Sequence, residues 1–206
     1  EVAGTLFLNN IICTGTIDLV GAHVAGQFEL TEAHISETKS HALSAQSLHV
    51  GTIFMFRDMK KIEGAVDLAT AYVRDLSDDL ASWQLCDEFI LNGFTYDRIS
   101  GDAAPTSFEA RMGWLEKGSR AEGMLSPQPY TQFAKVMRAS GHVSEARKAL
   151  MERERLIAQQ AIKNTPDKAM WLLMKVKDSL HRWSLGYGHA IHRALPFALI
   201  IFVPIA

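Results

Sequence analysis

Three glycines, Gly4, Gly15 and Gly26, stand 11 residues apart, and the residues after each keep the same order: G-T-L-F-L, G-T-I-D-L, G-Q-F-E-L. Each block places apolar side chains two and four positions beyond its glycine: Leu6 and Leu8, Ile17 and Leu19, Phe28 and Leu30. Ala22-His23-Val24 and Ala33-His34-Ile35 add a second motif at the same period. Alternation with period two is the mark of a strand, and a short fixed repeat of strands is the mark of a solenoid. One such strand cannot bury its apolar face alone, so successive coils must stack around a shared interior. Two blocks make 22 residues, which is read as one coil of a right-handed parallel β-helix-like solenoid. Glycine at each block head suits a tight corner. An antiparallel β-sandwich with regular turns is the alternative.

The solenoid is expected over residues 1–104. Ser36-Glu37-Thr38-Lys39-Ser40 interrupts the pattern as an inserted loop, and Met59 to Ile62 reads as an outward bulge. The repeat resumes at Ala45–Met55 and again at Gly64-Ala65-Val66-Asp67-Leu68. The chain opens within a repeat, without an initiator Met or a signal peptide, which reads as a piece of a solenoid that starts earlier. Asp75, Asp78 and Asp79 read as a solvated acidic edge, since the alternating loop of a calcium site is missing. Phe89 to Tyr96 reads as a last coil edge turning at Asn92-Gly93.

Helices follow Pro105. Thr106-Ser107-Phe108-Glu109 is a capping box, and the helix it opens ends at Gly118. Pro127 opens a second helix with the stripe Tyr130, Phe133, Ala134 and Met137, and Ser144 a third. Residues 105–165 thus form a helical hairpin region, of which Tyr130 to Leu150 has the look of a single tetratricopeptide-type hairpin. One copy is short of a peptide groove, so a cap on the solenoid end is expected.

Charge divides the chain. Residues 1–106 hold six Lys and Arg against fifteen Asp and Glu, residues 107–165 ten against six, and residues 166–206 five against two. An acidic solenoid is a poor nucleic-acid surface, and no nucleic-acid partner is expected. Cys13 falls in an inward slot with Val24 and Ile35, and Cys13 and Cys86 read as free thiols.

Residues 166–193 read as a juxtamembrane amphipathic helix that mixes Lys168, Lys175, Lys177 and Arg182 with Trp171 and Trp183. After Gly186-Tyr187-Gly188 and Arg193, residues 194–206 carry no charge. They include Phe197, Leu199, Ile200, Ile201 and Phe202 and read as the start of a truncated transmembrane helix, since a full span takes about 20 residues. Trp171, Arg182, Trp183, Arg193 and those five apolar residues form the expected membrane anchor. Cations ahead of the span place the solenoid on the cytoplasmic side.

No strand leads into G-x-G-x-x-G, and there is no phosphate-loop lysine, His-Glu-x-x-His, C-x-x-C pair or G-x-S-x-G. No cofactor, metal or catalytic residue is therefore assigned. His23 and His34 sit half a coil apart, which separates them too far for shared metal ligation. Outward solenoid positions Asp18, Gln27 and Glu29 are the candidate partner contacts, and bare solenoid ends invite self-association.

The blocks, together with Leu91-Asn92-Gly93-Phe94-Thr95-Tyr96, Gly113-Trp114-Leu115, Pro127-Gln128-Pro129-Tyr130, Gly141 with Ala146, and Gly186-Tyr187-Gly188 before an apolar run, resemble a bacterial family of membrane-anchored, pentapeptide-repeat-like proteins. The resemblance implies a place on the bacterial inner membrane. Members often carry the label "membrane-associated oxidoreductase", and no catalytic residue comes with it. Two functions follow. The first is a membrane-tethered, non-catalytic scaffold that presents a β-helical surface to a protein partner. The second is a membrane-associated enzyme with a cleft at the solenoid–helix junction, drawing on Asp87, Glu88, Tyr96, Asp97, Arg98 and Arg111.

Overall fold

A computed structural model describes residues 1–101, 104–121, 124–164 and 168–184. The chain divides into two compact units, Glu1–Ala146 and Arg147–Ala206. The first is a solenoid of parallel strands closed by helices. Val2, Val24, Val50, Val73 and Tyr96 stand on one another as parallel partners, stepping by 22, 26, 23 and 23 residues. These steps define about four coils, the first of the length two 11-residue blocks demand and the later ones slightly longer.

The first coil is made of short separate strands, β1 (Leu6–Phe7), β2 (Ile12–Thr14) and β3 (Ile17–Asp18). The second follows as β4 (His23–Val24), β5 (Phe28–Thr31) and β6 (His34–Ser44). Higher up, pairs of short strands fuse into β7 (His49–Arg57), β8 (Lys61–Asp67) and β9 (Tyr72–Asp78). A short helix α1 (Leu80–Gln84) comes next, then β10 (Glu88–Ile90) and β11 (Thr95–Ile99). Two parallel sheets result: β1-β5-β7-β9-β11, with β4 also on β7, and β10-β8-β6-β2, with β3 also on β6.

The alternating residues do turn inward. Val24, Phe28, Leu43, Val50, Phe54, Val66, Val73 and Leu76 are fully buried, and Phe28 stacks on Phe54 with ring centroids 5.0 Å apart. Burying a side chain of this size contributes about 1.5–3 kcal/mol, and stacking repeats the gain in each coil. Cys13 pairs with Ile35, and both cysteines are free thiols.

Two local expectations are corrected. Residues 36–40 are absorbed into β6, whose register against β8 shifts between Ser36 and His41. The strand bulges instead of leaving the sheet, since a bulge keeps the neighbouring backbone paired. Met59 and Ile62 are buried at 7% and 4% exposure; the chain turns them inward to fill the coil and leaves Lys60 exposed.

Glycine has a sharper role than corner-forming. A Cβ on Gly26 would lie 2.7 Å from the Gly4 carbonyl oxygen of the coil below, so this glycine lets two backbones touch. The corners themselves need a left-handed residue, and side chains supply it: Ser47 and Thr70 at φ 56° and 57°, in line with Gly21 and Gly93. The hydroxyls of Ser47 and Thr70 sit 2.9 Å apart and bridge the coils there.

Beyond the solenoid lie α2 (Phe108–Gly118), a small hairpin of β12 (Arg120–Ala121) and β13 (Met124–Leu125), and α3 (Gln128–Ala139). Ser107 caps α2 by accepting from the Ala110 N–H. Then come α4 (Val143–Lys163) and α5 (Lys168–Ser184). Among the described residues no helix is long and apolar enough to cross a membrane. Arg193, Phe197, Leu199, Ile200, Ile201 and Phe202 lie outside the described residues, as do the side chains of Arg182 and Trp183.

Candidate functional site

A parallel solenoid that stops leaves a row of unpaired N–H and C=O groups, which would template further strand pairing. Here that row is closed by side chains. In the last coil, α1 stands where the coil below has the start of β8. The coil-three amides that a further strand would have bonded find acids and a hydroxyl instead. The Asp58 N–H donates to Asp79 Oδ2 at 2.7 Å, the Met59 N–H to Ser82 Oγ at 3.1 Å, and the Gly64 N–H to Asp87 Oδ2 at 2.8 Å. Asp79 also caps α1 through the Ser82 N–H. Over the other sheet, Gln128 and Gln132, one turn apart on α3, serve β11 and the turn before it. Gln128 accepts from the Gly93 N–H and donates to the Phe94 carbonyl; Gln132 donates to the Tyr96 carbonyl at 2.5 Å.

At the centre of this closure is a buried ion pair. Asp78 follows Phe56 in an inward column, a position that is apolar in the coils below, and it is 1% exposed. Arg111 of α2 reaches it with two hydrogen bonds of 2.6 Å and is 0% exposed. The indole of Trp83 adds a third donor to the carboxylate at 2.7 Å, and the guanidinium Nε donates to the Pro105 carbonyl at 2.8 Å. A planar fork against a carboxylate is the geometry that lets such a pair survive without water. Trp83 packs on Phe56, Phe89 and Trp114, and the Arg111 guanidinium lies 5.0 Å from the Trp114 ring centre.

The residues proposed for a junction cleft are dispersed. Tyr96 is buried beside Asp78 and Arg111, and burial pushes its hydroxyl above the ordinary tyrosine value. Asp97 and Arg98 are exposed: Asp97 accepts from the Tyr72 hydroxyl, raising that group too, and Arg98 grips Asp75 at 2.6 and 2.8 Å. Asp87 is used on the Gly64 amide, and Glu88 is exposed at the head of β10. Desolvation lifts the Cys86 thiol to about 12, which keeps it protonated and unreactive.

The acidic edge expected from Asp75, Asp78 and Asp79 is therefore corrected. None of the three is exposed: Asp75 and Asp78 meet arginines 23 and 33 residues on, and Asp79 meets Ser82 and the Asp58 N–H. Sequence reasoning missed Asp78, Trp83, Gln128 and Gln132 as a set. An acid in an apolar column and two glutamines four apart were the only signals. A surface cavity of about 290 Å³ flanks the pair, lined by Leu80, Trp83, Phe89, Gly113, Trp114 and Lys117. Its one cation, Lys117, donates to the Cys86 carbonyl at 2.7 Å. Among the described residues no group of three or more His, Cys, Asp or Glu could hold a metal ion.

Of the candidate partner contacts, Glu29 lies on β5 with Gln27 just ahead of that strand, and Asp18 lies on the other sheet. Glu29 accepts from the Asn9 amide at 2.8 Å, which steadies it against the first coil, and Asp18 is exposed at a corner. A separate outward ladder stacks His23, His49 and Tyr72 with rings 4.8 Å apart at each step, whereas His34 stands on the other sheet, as the half-coil spacing requires.

Fold and site define a class: a parallel β-solenoid with a helical closure held by a buried ion pair. No family model, curated protein or solved structure matches this chain.

Proposed function

We propose that this chain is a non-catalytic scaffold, tethered to the cytoplasmic face of a membrane by its C-terminal segment, whose solenoid presents a rigid surface to a protein partner. One observation carries the reading. At the solenoid–helix junction Asp79, Asp87, Gln128 and Gln132 are hydrogen-bonded into the closure itself, with Asp78, Arg111 and Trp83 as its buried centre. Groups spent on holding two layers together are not free to bind and release a proton or a substrate. What remains accessible is a set of regular outward columns, and a rigid sheet face suits partner recognition at low ordering cost. Winding is right-handed, the hand that parallel crossovers take. Residues 194–206 supply the hydrophobic tether, and the flanking cations orient it. The family resemblance supports the same arrangement.

The partner face assigned is the side of the solenoid that bears Gln27 and Glu29, where Ile53, which precedes Phe54, stands over Gln27 in the next coil. Placing a photo-crosslinking residue at Gln27, and separately at Thr14 on the opposite sheet, tests this in cells. A discrete adduct from position 27 in the membrane fraction, with none from position 14, is expected. Equal yields at both positions, or a protein found only in the soluble fraction, would contradict the proposal.

A further inference from the structure

We infer that α5 is an anionic-lipid-binding helix that lies along the surface of a phospholipid bilayer carrying net negative charge. The inference rests on the membrane reading above and deepens it by naming the lipid class. Within α5, Leu172, Leu173 and Val176 are 58%, 65% and 51% exposed. Three large aliphatic side chains on adjoining helical positions form a stripe that water solvates poorly. The sequence extends the stripe at the same spacing through Leu180 and Trp183.

Charge identifies what covers it. The helix sequence carries Lys168, Lys175, Lys177 and Arg182 against a single acid, Asp178. Lys175 and Lys177 are exposed, and the Lys175 ammonium stands 4.0 Å from the ring centre of Trp171, itself 37% exposed. An ammonium beside an indole at the margin of an aliphatic stripe matches the headgroup boundary of a bilayer, where the ring is half wetted and the cation meets phosphate. A protein groove would satisfy the stripe but would leave these cations needing acids of their own. Seventeen residues span about 25 Å, and five of them are charged, so the helix lies flat; it does not cross. The other side of α5 meets α4 within the same unit, at a groove lined by Ile157, Ile162 and Met174, and the stripe itself is left outward.

The test uses the full chain with two sets of vesicles, one of phosphatidylcholine alone and one with phosphatidylglycerol mixed in, read by co-sedimentation across a salt series. Binding to the anionic vesicles should exceed binding to neutral ones and fall as salt rises. The variant Lys175→Gln/Lys177→Gln should weaken it by roughly twenty-five-fold, at about fivefold per cation. Leu172→Ser/Val176→Ser should weaken binding to both sets, and far-ultraviolet dichroism should show helix content unchanged in each variant, since these side chains are exposed. Equal, salt-insensitive binding to both vesicle types, indifferent to the lysine variant, would overturn the inference while leaving the tether intact. Binding to neither would overturn both. A dimer broken by the serine variant, without vesicle binding, would assign the stripe to a second copy instead.

Discussion

At the scale of single residues, Asp78 and Arg111 form the buried centre of the closure. Removing one partner of a buried pair leaves the other charge without water or counterion, which costs about 3–5 kcal/mol. Arg111→Met should therefore lower the urea unfolding free energy by about that amount. The double variant Asp78→Leu/Arg111→Met should recover most of it, because the apolar column of Leu30 and Phe56 is then continued. Additive losses in the double variant would show that the two residues do not act as a pair. Cys86 gives a pH dependence. Its folded thiol titrates at about 12 against an ordinary 9.0, so the folded state holds this proton more tightly than the unfolded one. The stability it contributes is complete below pH 9 and is lost as pH rises from about 9 toward 12. Thermal melts across that window should decline less in Cys86→Ala than in the parent. Tyr96, shifted the same way by burial, steepens the decline in both proteins.

At the scale of elements, the solenoid was legible because glycine and apolar spacing repeat, and stacking forces every coil to repeat them. Gly26 is needed not for a corner but for a contact: a Cβ there would meet Gly4 of another coil, and sequence shows no inter-coil distance. Gly26→Ala should thus cost about 1–3 kcal/mol by overpacking. Gly4→Ala, whose Cβ would meet nothing within 4 Å, should leave the melting temperature nearly unchanged; equal losses would refute the coil-contact explanation. The closure was far less legible. Helix α1 is five residues long, too short to show a periodicity, and it stands where the coil below has the start of β8. Asp78 breaks an apolar column for a partner 33 residues away, and no local pattern carries that information. Gln128 and Gln132 look like ordinary helix surface until β11 is placed beneath them. Replacing both with Leu frees the edge they bond, and the variant should melt earlier and self-associate with rising concentration, as sizing chromatography would show.

At the scale of the whole molecule, the chain joins an acidic solenoid, closed at one end by side-chain hydrogen bonds, to a basic helical segment. Under the proposed function, this division of charge becomes a division of labour: a stiff acidic surface for a partner, and a cationic helix for a membrane. The measurement that tests this most directly is a cofactor screen on the purified full chain, by absorbance spectrum and by thermal shift with nicotinamide and flavin nucleotides. The account predicts a colourless protein whose melting temperature no nucleotide moves, because Asp78, Arg111 and Trp83 at the junction are already bonded to one another. A bound chromophore, or stabilisation by one nucleotide that is lost on substituting Lys117 at the aromatic cavity, would contradict it and make the junction an active site.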